Sequence, residues 1–296
     1  MLVQFAGWRS VFFINVPVTF VALVVTLLWI PPDNSLPRGA IAETAVAVDL
    51  IGIVGFAVAM TTLLLFLFSL PTANWALLAA TVVFWLAEVA WELRARTPFF
   101  DVRLLISNAA LTFTYLRFGL VFLCAYIVLF GVTQWIEVAR GFSALAAGLL
   151  LLPMTVVSGV VVPPISRRNL VRGPLIWAAL ACLAAGVLTL FLSCAAWLFL
   201  TVLVTILLGF AIGAASSNQL ALYEQADPEA LGTASGLMRS FGYLGSIASS
   251  AVIGIVFRQR VADTGIVVIA VIMIGATIAL LLVTALDRTL GKTAAG

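Results

Sequence analysis

The sequence has no histidine, only three cysteines in 296 residues, and 9% charged residues. The missing histidine removes the commonest general base and metal ligand. Cys124, Cys182 and Cys194 fall in apolar runs without metal-ligand spacing, so they read as small core hydrophobes. No HExxH, GxSxG, DDxxD or Walker A run is present. A membrane-embedded hydrolase or transferase needs a nucleophile or metal cluster of that kind. No catalytic residue, cofactor or metal site is therefore expected. Soluble domains carry about 25% charged residues, so the chain is no soluble globule. Its formal charge of +3 gives no reason to expect nucleic acid as a partner. The amino terminus lacks the basic n-region of a cleavable signal peptide.

What is present is apolar. Hydrophobic residues make up 64% of the chain, and mean hydropathy is +1.23. The long apolar runs predict an all-α polytopic membrane protein with about nine spans, near 11–30, 49–70, 74–93, 107–134, 142–165, 174–193, 197–220, 232–257 and 265–286. The separators are turn-forming: Pro31-Pro32-Asp33-Asn34, Pro71-Thr72-Ala73-Asn74, and Arg167-Arg168-Asn169 ahead of Gly173-Pro174.

The stretch from Leu231 to Phe257 is rich in small residues for a span. Gly232, Gly236 and Ser240 repeat every four residues, as do Gly242, Ser246 and Ser250, with Gly245 and Ser249 on a third row. On a helix these rows let a neighbouring helix approach closely, so the segment is expected in a bundle interior, packing through Gly232, Gly236, Gly242 and Gly245. Arg239 interrupts this stretch and Arg117 interrupts the 107–134 span. A charged side chain at the centre of a span costs roughly 2.5–3.5 kcal/mol on insertion scales, unless it meets water or a partner. Both arginines can snorkel or line a cavity between bundles. The cavity reading makes Arg117, Arg239 and Glu137 the candidates for transport. Asp49 is expected to cap a helix. Glu88 and Glu92 share a helix face where Glu92 can meet Arg96 at i+4, and are expected as a solvated interface pair. Trp8, Trp29, Trp75, Trp91 and Trp135 sit near span ends, as in an aromatic belt facing the lipid bilayer.

Positive charge sets the expected orientation. If the first span enters from outside, Arg38, Arg94, Arg96, Arg103, Arg167, Arg168, Arg172, Arg288 and Lys292 are cytoplasmic, which is nine charges. Arg9, Arg140, Arg258 and Arg260 lie opposite, which is four. The C-terminus is expected in the cytoplasm, in a multi-pass cell membrane protein of the bacterial inner-membrane kind.

Four motifs in register resemble one family. Gly7-Trp8-Arg9 followed by Phe12-Phe13-Ile14-Asn15-Val16-Pro17 resembles a signature of the major facilitator superfamily, in its fourteen-span drug:proton antiporter branch. Glu92, Arg94, Pro98, Phe99, Asp101 and Leu104 resemble that branch's loop after the eighth span. Gly141, Ser143, Ala147, Gly148, Leu152 and Pro153 resemble a third element. Gly232, Ala234, Ser235, Arg239, Gly242 and Gly245 resemble the glycine-rich element of the penultimate span. Glu137 stands where the family usually has glutamine, and 166–173 is a worn counterpart of its basic loop.

The resemblance implies that the chain begins at the end of the family's fifth span and is N-terminally truncated. Residues 1–30 then hold the last helix of an N-terminal bundle with a remnant of the preceding span. Residues 31–106 form a two-helix central insert, and 107–296 a C-terminal six-helix bundle. The implied function is proton-coupled export of drugs or other small amphipathic molecules, by two bundles rocking about a central site. Expected partners are the small-molecule substrate, protons and a missing N-terminal half. Two other readings stay open: a truncated membrane scaffold that transports nothing and, more distantly, a membrane-embedded enzyme.

Overall fold

Asparagine and serine set where several of the apolar runs become helical. In the computed structural model, Asn74 Oδ1 accepts from the Ala76 and Leu77 amides at 3.1 and 3.3 Å. Asn108 Oδ1 accepts from Leu111 N at 3.1 Å, and Ser143 Oγ from Ala146 N at 3.3 Å. Each cap satisfies amides that the first helical turn leaves without a backbone partner. The structure describes residues 13, 15–29, 49–69, 72–95, 102–194, 197–226 and 231–291.

Helix α1 spans Asn15–Trp29 and is described by itself. Its 15 residues are all exposed. Asn15 and Pro17 lie within its described residues. Gly7, Trp8 and Arg9 lie outside the described residues.

The remaining helices are α2 (Leu50–Ser69), α3 (Trp75–Glu92), α4 (Val102–Ser107), α5 (Ala109–Tyr126), α6 (Thr133–Val138), α7 (Ala144–Arg167), α8 (Arg172–Leu190), α9 (Trp197–Ala214), α10 (Ser217–Gln225), α11 (Leu231–Val256) and α12 (Asp263–Leu286). A π-helical stretch, Ile127–Val132, joins α5 to α6, making one span of 30 residues from Ala109 to Val138. Among the described residues eight helical stretches are long and apolar enough to cross a membrane, which gives the expected all-α polytopic fold. Their ends lie within five residues of the expected bounds.

Six spans pack side by side. Helix α5 lies between α11 and α12, α12 also packs on α8, and α9 lies between α8 and α7. Small residues make the two closest crossings. At α5–α11, a Cβ at Gly245 would fall onto the Gly119 carbonyl oxygen, and one at Gly119 would lie 2.9 Å from the Phe241 carbonyl oxygen. At α7–α9, a Cβ at Gly213 would come within 2.7 Å of Val161 Cβ. In a bilayer such packing, rather than a hydrophobic force, holds helices together. Of the four glycines expected to pack, Gly242 faces Phe118 and Gly245 faces the α5 backbone. A Cβ at Gly232 or Gly236 would meet nothing within 4 Å.

One expectation is corrected. Glu88 and Glu92 are buried, at 5% and 1% exposure, rather than solvated. The Glu88 carboxylate fills the space that the absent side chain of Gly55 leaves on α2, and Phe56 meets Trp85 edge-on at 5.9 Å beside it. Arg96, the expected partner of Glu92, lies outside the described residues.

Candidate functional site

Arg117 lies eight residues into α5, a rise of about 12 Å from the helix start. Its side chain is 1% exposed. Helical side chains lean toward the N-terminus of their own helix. The guanidinium therefore returns toward the end where α5 starts, α10 finishes and α12 finishes. Asp287, the residue after α12, receives it: Nη1 donates to Asp287 Oδ2 at 2.7 Å. A carboxylate at the C-terminal end of a helix opposes the helix dipole, so burying Asp287 there requires a cation.

All three guanidinium nitrogens are engaged. Nε donates to Asn218 Oδ1 at 3.1 Å, and Nη2 donates to Thr114 Oγ1 at 2.7 Å. Thr114 Oγ1 donates in turn to Gln225 Oε1 at 2.8 Å, and Gln225 Nε2 donates to Thr289 Oγ1 at 3.2 Å. Thr289 Oγ1 donates to Asp287 Oδ1 at 2.5 Å. The hydrogen bonds thus close a ring: Arg117, Thr114, Gln225, Thr289, Asp287, and back to Arg117. Asn108 Nδ2 ties the start of α5 to the Gln225 carbonyl at 3.1 Å. The ring ties three helix ends together; Thr114, Arg117 and Asp287 are buried, so removing one of these leaves the others with a desolvation cost, while Gln225 is half-buried and Thr289 exposed.

Sequence reasoning found Arg117 through the cost of a charge in a span. It passed over Asp287 because that residue follows the last span and looks like a surface cap. The signal available was the arginine itself, which required a counter-charge at the same depth.

A second polar cluster lies at the opposite end of the same 30-residue span. Trp135 Nε1 donates to Asp263 Oδ1 at 2.8 Å. The Arg140 guanidinium lies 4.6 Å from the Trp135 ring centroid and 5.7 Å from that of Trp197. It also approaches Asp263 Oδ2 at 3.4 Å, half exposed. Trp135→Phe removes the donor and leaves a smaller ring in a fully buried site, and is expected to cost about 2 kcal/mol or more in denaturant unfolding of the detergent-solubilised chain. No measurable loss would show that neither the hydrogen bond nor the packing of the indole anchors this corner.

Between the clusters runs an aromatic ladder: Phe118, Phe122, Tyr126 and Phe130, with successive centroids 4.5, 5.9 and 5.3 Å apart. Phe118 is buried and Phe130 is 45% exposed, so the ladder opens toward one end. Arg239 is exposed on α11, and Glu137 is half-buried on α6. The structure does not bring either to Arg117. Gly141 takes a left-handed φ of +69° that turns the chain into Ser143. Gly148 is exposed and Pro153 lies within α7. Cys124 and Cys182 are buried, and Cys194 is exposed. Among the described residues no group of three His, Cys, Asp or Glu is placed to hold a metal ion.

The family model described as Major Facilitator Superfamily matches residues 1–250. The chain is 31% identical over 306 residues to the MFS-type transporter YwoD of Bacillus subtilis, covering 99% of this chain and 66% of that protein. It is 28% identical over 274 residues to the multidrug resistance protein Stp of Mycobacterium tuberculosis, covering 89% and 49%. It is 31% identical over 278 residues to the tetracenomycin C resistance and export protein of Streptomyces glaucescens, again covering 89% and 49%. The chain thus spans about half to about two thirds of the length of these relatives.

Proposed function

This chain belongs to the Major Facilitator Superfamily, and from that membership we propose that it works in the secondary active export of drugs or other small amphipathic molecules, driven by protons. It is a multi-pass membrane protein. Family membership favours a transporter over an enzyme. In this reading residues 107–296 form one six-helix bundle, 31–106 carry a two-helix insert, and 1–30 contribute a helix of the other bundle. Substrate passes between the two bundles as they rock. The relatives whose names refer to multidrug resistance and to tetracenomycin C export support the substrate class. The nine-to-four excess of positive charge supports a cytoplasmic C-terminus in a bacterial inner membrane.

The observation that carries the reading is the buried Arg117–Asp287 pair and the ring of hydrogen bonds that it closes. A bundle that only anchored other proteins would have no need of a costly charge shared by three helix ends. In a bundle that changes partners during a cycle, such a ring holds one arrangement until a competing contact releases it. Arg239 and Glu137 are the candidates for contact with substrate or coupling ion, and the aromatic ladder offers an adaptable apolar face.

Lysine keeps the charge of Arg117 but presents one ammonium where the ring needs a fork with three acceptors. Arg117→Lys in a full-length transporter carrying this sequence is expected to lower substrate efflux from proteoliposomes by about tenfold or more, the equivalent of ~1.4 kcal/mol. Arg239→Lys is expected to fall between that and the parent. Unchanged efflux in both variants at normal expression would reduce the arginines to structural anchors. No efflux from the parent itself would favour the scaffold reading.

A further inference from the structure

We propose that the groove between α7 and α8 is a binding site for one phospholipid with a net negative headgroup. Both helices pack on α9, with little direct contact between the two. The groove between them holds about 630 Å³, within the ~300–1,000 Å³ range of small-molecule sites. Its walls are Val160, Pro164 and Trp177, with Phe210 of α9 beneath. Val160 and Trp177 are 68% and 62% exposed, so the groove opens on the outer surface of the bundle. That is where hydrocarbon chains lie in a bilayer.

The polar rim is basic. Arg172, the first residue of α8, lines the groove, while Arg167, the last residue of α7, and Arg168 just after it are exposed beside Asn169 of the lining. The lining itself holds one cation and one carboxylate, Arg172 and Glu224, and the excess positive charge comes from the adjacent Arg167 and Arg168. Helix α8 also starts without a side-chain cap at Val171, which leaves the Arg172 and Gly173 amides free to meet an acceptor. The turn at Asn169, with φ +48°, brings the two helix ends close enough for both to border the same groove. Basic pockets between membrane helices take anionic headgroups for these reasons.

The mixed lining selects the ligand. A free phosphate would use the rim and leave the apolar walls to other molecules. A zwitterionic lipid would fill the walls but place a cation among the arginines. An anionic phospholipid satisfies both, with its phosphate at Arg172 and one acyl chain between Pro164 and Trp177. The groove shares no lining residue with the Arg117 ring, though Glu224 and Leu290 adjoin Gln225 and Thr289 in the chain, and the proposal does not depend on the transport reading.

Trp177 reports on occupancy. The full chain is reconstituted in nanodiscs containing equal fractions of brominated phosphatidylglycerol or brominated phosphatidylcholine, and the Trp177 signal is the difference between the parent and Trp177→Phe. Brominated anionic lipid is expected to quench that signal about threefold more strongly than the zwitterionic one. Arg167→Gln, Arg168→Gln and Arg172→Gln combined should abolish the preference, and Arg172→Lys alone should keep most of it. These side chains are exposed, so the fold does not rest on them. Equal quenching by the two lipids would overturn the proposal, as would a preference that survives the triple replacement. Relief of quenching by inorganic phosphate would reassign the rim to a free anion and overturn it too.

Discussion

Replacing Asp287 with alanine should cost the folded bundle about 3–5 kcal/mol, because it leaves the Arg117 guanidinium buried without its counter-charge. Both side chains are 1% exposed, so solvent cannot screen the loss. Thr289 would also lose the acceptor for its amide and hydroxyl. The size of the effect comes from breaking the pair, since the net worth of a buried pair against apolar packing is small. The double replacement Arg117→Met with Asp287→Leu should therefore recover at least half of the lost stability. Unfolding of the detergent-solubilised chain in denaturant, read by tryptophan fluorescence, measures both. A single variant within about 0.5 kcal/mol of the parent would mean that the ring does not hold the end of α12.

The second large effect is expected at the α5–α11 crossing. A side chain at 245 would collide with the Gly119 carbonyl oxygen and lie 3.0 Å from the Leu123 amide nitrogen. These are backbone atoms, which cannot rotate aside. Overpacking an interior usually costs about 1–3 kcal/mol, and Gly245→Leu should meet or exceed the upper end of that range. The yield of monodisperse protein should fall accordingly. Gly236→Leu is the matched control, on the same helix and with nothing within 4 Å of an added Cβ. Gly242→Leu should be intermediate, since its obstacle is the edge of the Phe118 ring. Equal yields for all three variants would place the crossing elsewhere.

These glycines also show where reading the sequence stops. The four-residue spacing of Gly232, Gly236, Gly242 and Gly245 places small residues in rows along α11. Spacing alone does not say which row meets a neighbour, or for how many turns. Contact with α5 follows the face that carries Ala234, Leu237, Met238, Gly242 and Gly245, and Gly232 and Gly236 lie on another face. The spans themselves were legible because lipid imposes a length and an apolar composition that no loop satisfies. Arg117 was legible as an anomaly of the same kind. Its partner was not, because hydropathy treats Asp287 as the end of a span. The pairing joins residues 170 positions apart. Glu88 and Glu92 were misplaced for a related reason: a helix end near the membrane surface is solvated only where no neighbour covers it. Gly55 allows that neighbour to come close.

The π-helical stretch Ile127–Val132 separates Arg117 from Trp135, which lie 18 residues apart. In an uninterrupted α-helix that separation is five whole turns, and both side chains would project in the same direction. The wider coil consumes residues without completing the expected rotation. Both side chains nevertheless reach one neighbour: Trp135 meets Asp263 at the start of α12, and Arg117 meets Asp287 just past its end. The number of residues in the wide coil acts as a torsional setting between the two ends of the span. Lengthening or shortening it by one residue would turn one end by roughly 100° against the other. The two ends of the span are keyed to their neighbours like the two ends of a twisted shaft, and the shaft can hold only one angle at a time.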